Sequence, residues 1–231
     1  MTAQEFTCCG NPPEAPAWMA CQFSPYHRGI TNIPDHFPGN CPLILNDMTP
    51  FSSHDPSVIR NQLFAEAERL RSSGILLDLL RQPIPETRDL CRLLCREPPC
   101  PVIVPEAYWE KEMNAPVFLP AVPLLKPLDT YLAPWKDEAI WLECACDEQT
   151  VTVTEKGAAL CTETPDPELP AHYHTKLHCT YHISVSRDRA VFHLNRSWDE
   201  LEDLLKEAEK LGVQAAVGLY QQFRQRKNPQ T

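Results

Sequence analysis

The stretch from Phe64 to Arg81, FAEAERLRSSGILLDLLR, constrains the fold more than any other, because within it a helix hands over to a buried strand that ends in a carboxylate. Ile59, Leu63, Ala67 and Leu70 recur at helical spacing and Ser72-Ser73-Gly74 breaks the helix. Ile75-Leu76-Leu77 is then an apolar run suited to a strand covered on both faces. Asp78 falls where that strand ends. Parallel sheets fed by helices present ligands at the carboxyl ends of their strands, so an acid there is a site candidate.

The same rhythm recurs along the chain. After an irregular arm over 1–17, apolar runs at 18–23 (WMACQF), 42–46 (PLILN), 74–79 (GILLDL), 101–104 (PVIV), 116–119 (PVFL), 139–142 (AIWL), 176–185 (KLHCTYHISV) and 213–219 (VQAAVGL) give eight strand candidates. Residues 26–40 are expected to form a long loop, with a short strand near Ile30 to Ile33 as an alternative. Asp55-Pro56 predicts a helix start, Pro85 opens a second helix on Leu90, Leu93 and Leu94, and Ser197 with Glu200 marks a capping box before a stripe of Leu201, Leu204, Leu205 and Ala208. Residues 147–195 change to alternating patterns, with a hairpin turning at 186–189. The expectation is an α/β chain folded as one compact, irregular (β/α)8 TIM-type barrel over 1–231, with 147–195 as a small β-rich insertion before the last helix. A doubly wound open sheet is the alternative.

Charge and cysteine usage narrow the partners. The 231 residues carry 31 acidic and 21 basic side chains, a formal charge of −10, which excludes a general nucleic-acid or anionic-membrane surface. No apolar run reaches the roughly 18 residues of a membrane span, and the first residues lack a secretory pattern, so a cytoplasmic protein is expected. The odd total of eleven cysteines, scattered in spacing, predicts reduced thiols. With seven glycines there is no phosphate-cradling loop, and no cofactor is expected. His172, His174, His178, His182 and Cys179 are dense, but alternation in a strand turns Cys179 away from His178 and His182, so no metal is expected.

Asp47, Asp78, Glu106 and Glu143 each follow an apolar strand, and in a barrel such exits converge on one mouth. Asp78, Glu106 and Glu143 are the candidate acids. Neighbouring carboxylates raise one another's pKa, which lets an acid and a base coexist at neutral pH. Asp47, Arg81, Tyr108, Tyr220 and Gln221 are the candidate ligand contacts, the tyrosines as stacking faces. The structural alternative pairs the acids with Arg81 or uses them to cap loops.

Two segments resemble glycoside hydrolase family 18, the chitinase-like barrels. That family carries D-G-x-D-x-D-x-E on its fourth strand, and here the pattern falls on Ser73-Gly74-Ile75-Leu76-Leu77-Asp78-Leu79-Leu80, matching at Gly74 and Asp78. Ser197 to Tyr220 resembles the family's last helix and closing strand, with Tyr220 as its aromatic. The resemblance implies a carbohydrate-type ligand at the mouth. Leu80 stands where the family has its proton-donating glutamate, and leucine cannot protonate a leaving oxygen. By the count above the pattern lies on the third strand, with 26–40 as the place for a missing one. A degenerate barrel that binds or slowly processes a sugar is therefore expected, with a non-catalytic interaction protein as the alternative.

Overall fold

The computed structural model describes residues 4–7, 18–19, 21–24, 29–31, 43–46, 55–79, 84–163 and 168–219. Its elements begin with β1 (Gln4–Thr7), β2 (Trp18–Met19), β3 (Cys21–Ser24), β4 (Gly29–Thr31), β5 (Leu43–Asn46), α1 (Pro56–Arg69), β6 (Ile75–Asp78), α2 (Pro85–Leu94), β7 (Val102–Pro105) and β8 (Val117–Leu119). They continue with α3 (Leu128–Leu132), β9 (Ile140–Glu143), β10 (Asp147–Thr154), β11 (Gly157–Cys161), β12 (His172–His174), β13 (Cys179–Val185), β14 (Arg189–Arg196), α4 (Trp198–Lys210) and β15 (Val213–Leu219). Two compact units result. One comprises Ala121–Lys136 and Cys144–Val213, the other Thr2–Pro120, Asp137–Glu143 and Gln214–Thr231.

The larger unit is an α/β sheet in the order β2-β1-β15-β9-β8-β7-β6-β5-β3-β4. β1 pairs in parallel with β2 and with β15, and from β3 through β5, β6, β7 and β8 to β9 each neighbour is parallel, while β3 with β4 is antiparallel. Alternation sorts the strand residues onto two faces. Leu43, Leu45, Ile75, Leu77, Val102 and Val104 join the buried faces of α1 and α2 in one core. Ile44, Leu76, Ile103 and Val217 meet in a second cluster on the other face, with Phe118 and Trp141 against it. In a flat sheet β15 and β5 would lie about 24 Å apart, five strand spacings. Residues from both share this one cluster, so the sheet curls around it.

The local signals act as the residues require. Asp55 caps α1, its Oδ1 accepting from the Ser57 N–H at 2.8 Å, with Pro56 at the first helical position. Gly74 leaves room at the entry to β6, since a Cβ there would lie 3.2 Å from Ile103 Cδ1 and 3.3 Å from the Pro101 carbonyl. Arg92 of α2 holds Glu110 with two hydrogen bonds of 2.8 and 2.7 Å, tying the helix to the segment beyond β7.

The smaller unit is an antiparallel sheet in the order β11-β10-β14-β13-β12. One face carries Val151, Cys179, Tyr181, Phe192 and Leu194, packed with Leu124 and Leu177. Arg196, 1% exposed, donates from Nε, Nη1 and Nη2 to the carbonyls of His178, Val122 and Leu177, clasping two stretches of chain. On α4 the capping box forms: the Glu200 carboxylate accepts from the Ser197 N–H at 3.0 Å and from the hydroxyls of Ser197 and Thr180.

Two expectations are corrected. The run at 176–185 does not enter the parallel sheet; its strand β13 pairs antiparallel with β12 and β14, because CTYHISV alternates as a half-exposed strand does. The parallel strand it was counted for is β1, inside the expected N-terminal arm, where Gln4, Glu5 and Phe6 pair with Val217, Gly218 and Leu219. Counting β1, then the run holding β2 and β3, then β5, places β6 fourth among the parallel runs. The Gly74–Asp78 segment is thus on the fourth parallel run rather than the third, and the strand that falls within 26–40, β4, is antiparallel to β3.

Candidate functional site

Asp78 closes β6, and along that strand Ile75 and Leu77 face the helices while Leu76 joins the inner cluster. Asp78 shares the parity of Leu76 and so belongs to the inner face, half-buried at the carboxyl end of the strand. It stands in register with Asn46 of β5. Glu143 closes β9 two residues after Trp141, which packs on the inner cluster, and it is exposed at the same end of the sheet. Phe118 and Trp141 are register partners on β8 and β9. Asp78 and Glu143 therefore rim one end of an apolar inner face floored by Leu76, Ile103, Phe118 and Trp141.

Glu106 is placed differently. Its N–H donates to the Phe118 carbonyl at 3.0 Å, as that of Val104 does to Pro116, so the ladder runs on through it. Alternation then groups Glu106 with Val104 on the helix-facing side, and its side chain is exposed there. Tyr108, expected as a stacking face, is 1% exposed in the core with α1 and α2, its ring 6.0 Å from the Arg88 guanidinium. A ring covered on both sides has no face left for a sugar. Asp47, Arg81, Tyr220 and Gln221 lie outside the described residues, as does Leu80.

Phe118 and Trp141 are the contributions that sequence reading passed over. In the sequence Trp141 stands two residues before Glu143, a spacing that puts both on one face of a strand. Among the histidines, His172 and His174 pair with Tyr181 and Cys179 on the apolar face of the antiparallel sheet. His182 and His193 lie opposite each other on the other face, and His178 occupies a left-handed turn position at φ 48°. Among the described residues, no group of three His, Cys, Asp or Glu side chains is placed to hold a metal, and no helix is long and apolar enough to cross a membrane.

Comparison with known proteins rests on structure. No protein-family model matches the chain, and no curated protein matches it in sequence. A family 18 chitinase from Cycas revoluta, solved as a double mutant with a GlcNAc tetramer, superposes with a TM-score of 0.52 at 10% identity, covering 88% of each chain. The fold is chitinase-like. A chain from Bacillus subtilis assigned as a sporulation-specific glycosylase gives 0.50 at 10% identity over 85% of this chain and 89% of its own. The spore cortex-lytic enzyme SleL of Bacillus cereus gives 0.50 at 10% identity, over 90% of this chain and 66% of its own length.

Proposed function

We propose that the chain binds a carbohydrate-type ligand at the carboxyl end of its parallel sheet and cleaves it slowly or not at all. The observation that carries this reading is the pairing of two carboxylates, Asp78 and Glu143, with two aromatics, Phe118 and Trp141, on one inner face of a chitinase-like fold. Aromatic faces cover the apolar side of a sugar ring while carboxylates accept from its hydroxyls. The sheet in this reading is an eight-membered ring. It closes through the run 18–24, whose β2 half pairs with β1 and whose β3 half pairs with β5, so one stretch of chain joins both ends of the parallel order.

The site is degenerate by its chemistry. Leu76 lies in the inner apolar cluster where the family pattern has an aspartate, and Leu80 replaces the proton donor. Any residual hydrolysis must draw its proton from another acid, and among the described residues Glu143 stands with Asp78 on the inner face. Three strand spacings, about 14 Å along the sheet, separate its strand from that of Asp78, and curling shortens the path across the mouth. Glu106 is no longer favoured, because its parity turns it outward.

Titration with N-acetylated chito-oligosaccharides, followed by tryptophan fluorescence and by product release, tests the proposal. Saturable binding that is lost in Asp78→Ala and weakened in Glu143→Gln is expected, with slow or undetectable product release. Absence of binding by any oligomer at millimolar concentration overturns it. Rapid turnover that survives both substitutions would do the same.

A further inference from the structure

The antiparallel unit ends in a free edge. Among the described residues β11 has a strand neighbour on one side alone, β10, and Gly157, Ala158, Ala159 and Leu160 are all exposed, Leu160 at 71%. Thr154 and Gly157 close a two-residue turn, so they form a hydrogen-bonded pair, and the alternation of an antiparallel ladder gives Thr152–Ala159 and Thr150–Cys161 the same character. The N–H and C=O groups of Ala158 and Leu160 therefore point away from β10. Natural edges are guarded by charge, proline or a bulge. The sequence GAALC has no charge and no proline.

We infer that β11 pairs with β11 of a second copy of this chain, joining two five-stranded sheets into one. Antiparallel pairing about a two-fold axis normal to the sheet sets one residue opposite itself, and Ala159 fits that place. With it there, Ala158 faces Leu160 of the second copy and Leu160 faces its Ala158, so both outward-pointing residues of each strand bond and four N–H···O bonds form. Centring on Ala158 or Leu160 would send half of these bonds beyond the strand. Ala159 then meets its copy in a non-hydrogen-bonded pair, where Cα atoms approach to about 4.5 Å and small side chains fit.

The side chains complement one another as the backbone does. Ala158 and Leu160 share the face of Val153 and Val151, their register partners, and that face holds an open apolar cavity of about 340 Å3 lined by Val151, Val153, Ala158, Tyr181, Phe192 and Leu194. Leu160 of the second copy, opposite Ala158, seats at the rim of this cavity, and the two-fold axis repeats the contact. No charged residue lies within either strand to repel its copy. Five residues from each copy bury well under the roughly 800 Å2 per partner of a standard interface, so the dimer is weak and depends on concentration.

Sedimentation velocity on the full chain from about 1 to 500 μM tests the inference, with monomer at the low end and dimer dominant at the high end. Leu160→Lys, at an exposed position, should weaken the dimer at least tenfold with an unchanged circular dichroism spectrum. Ala159→Cys should form a covalent dimer under mild oxidant faster than the parent chain with its own cysteines does. A monomer throughout the range overturns the inference. So does a dimer indifferent to Leu160→Lys, an Ala159→Cys chain that cross-links no faster than the parent, or a different protein found seated on the edge.

Discussion

Removing the Arg196 side chain tests how the antiparallel unit holds its loops. The guanidinium is buried and its described hydrogen bonds go to three main-chain carbonyls: His178 at 3.1 Å, Leu177 at 2.8 Å and Val122. Burial pulls its pKa down from the ordinary arginine value, opposed by nearby Cys179, Asp147 and Glu200, so the charge carries a desolvation cost. A charge-assisted hydrogen bond contributes about 1.5–3 kcal/mol, and a buried carbonyl left without a donor costs about 1–3 kcal/mol. Three such bonds, less the desolvation cost and any water that enters, put Arg196→Ala at about 3–5 kcal/mol of destabilisation. Arg196→Lys keeps the charge but one ammonium cannot reach three diverging carbonyls, so about half that loss is expected. Urea unfolding followed by circular dichroism measures both. Hydrogen exchange localises the effect, with faster exchange expected around 177–179 and 122–128. A cost below about 1 kcal/mol for Arg196→Ala, or Lys matching the parent, refutes the clasp.

Leu76→Asp should cost about 3 kcal/mol or more in denaturant unfolding, because it buries a carboxylate among Ile44, Ile103 and Val217. Glu200 is pushed up by burial, but hydrogen bonds from Ser197, Thr180 and the backbone hold its carboxyl below the usual range. Its folded pKa is thus depressed, so its stabilisation is present above the ordinary glutamate range and is lost as pH falls below it; Glu200→Gln should flatten that part of the stability–pH profile. Burial pushes the Cys91 thiol up to about 12 and the Cys95 thiol up to about 11, and neither should react with a thiol reagent at pH 7 until the chain is unfolded, as mass mapping would read out.

The elements written in local chemistry were legible in the sequence. Asp55-Pro56 and the Ser197–Glu200 box name the starts of α1 and α4, and continuous apolar runs such as Ile75-Leu76-Leu77 name strands covered on both faces. β1 was not legible, since QEFT has one large apolar residue and becomes a strand only by pairing with residues more than two hundred positions away. β13 was read as a barrel member although CTYHISV alternates, a pattern that belongs to a sheet open on one side. The acids follow the same rule. Asp78 and Glu143 fall on the last inner-facing position of their strands, whereas Glu106 falls one residue beyond Pro105, and a shift of one exchanges the faces.

The adjacency of β15 to both β1 and β9 has a consequence for how the molecule is made. On a ribosome, β1 through β9 emerge long before the strand that must stand between β1 and β9, and in the interval the whole antiparallel sheet and α4 are synthesised. Two strand borders stay open meanwhile, a state prone to aggregation that a chaperone would shield. The antiparallel sheet, whose strands follow one another closely in sequence, can mature during that wait, so that vectorial synthesis finishes one unit while the other is still lacking its keystone.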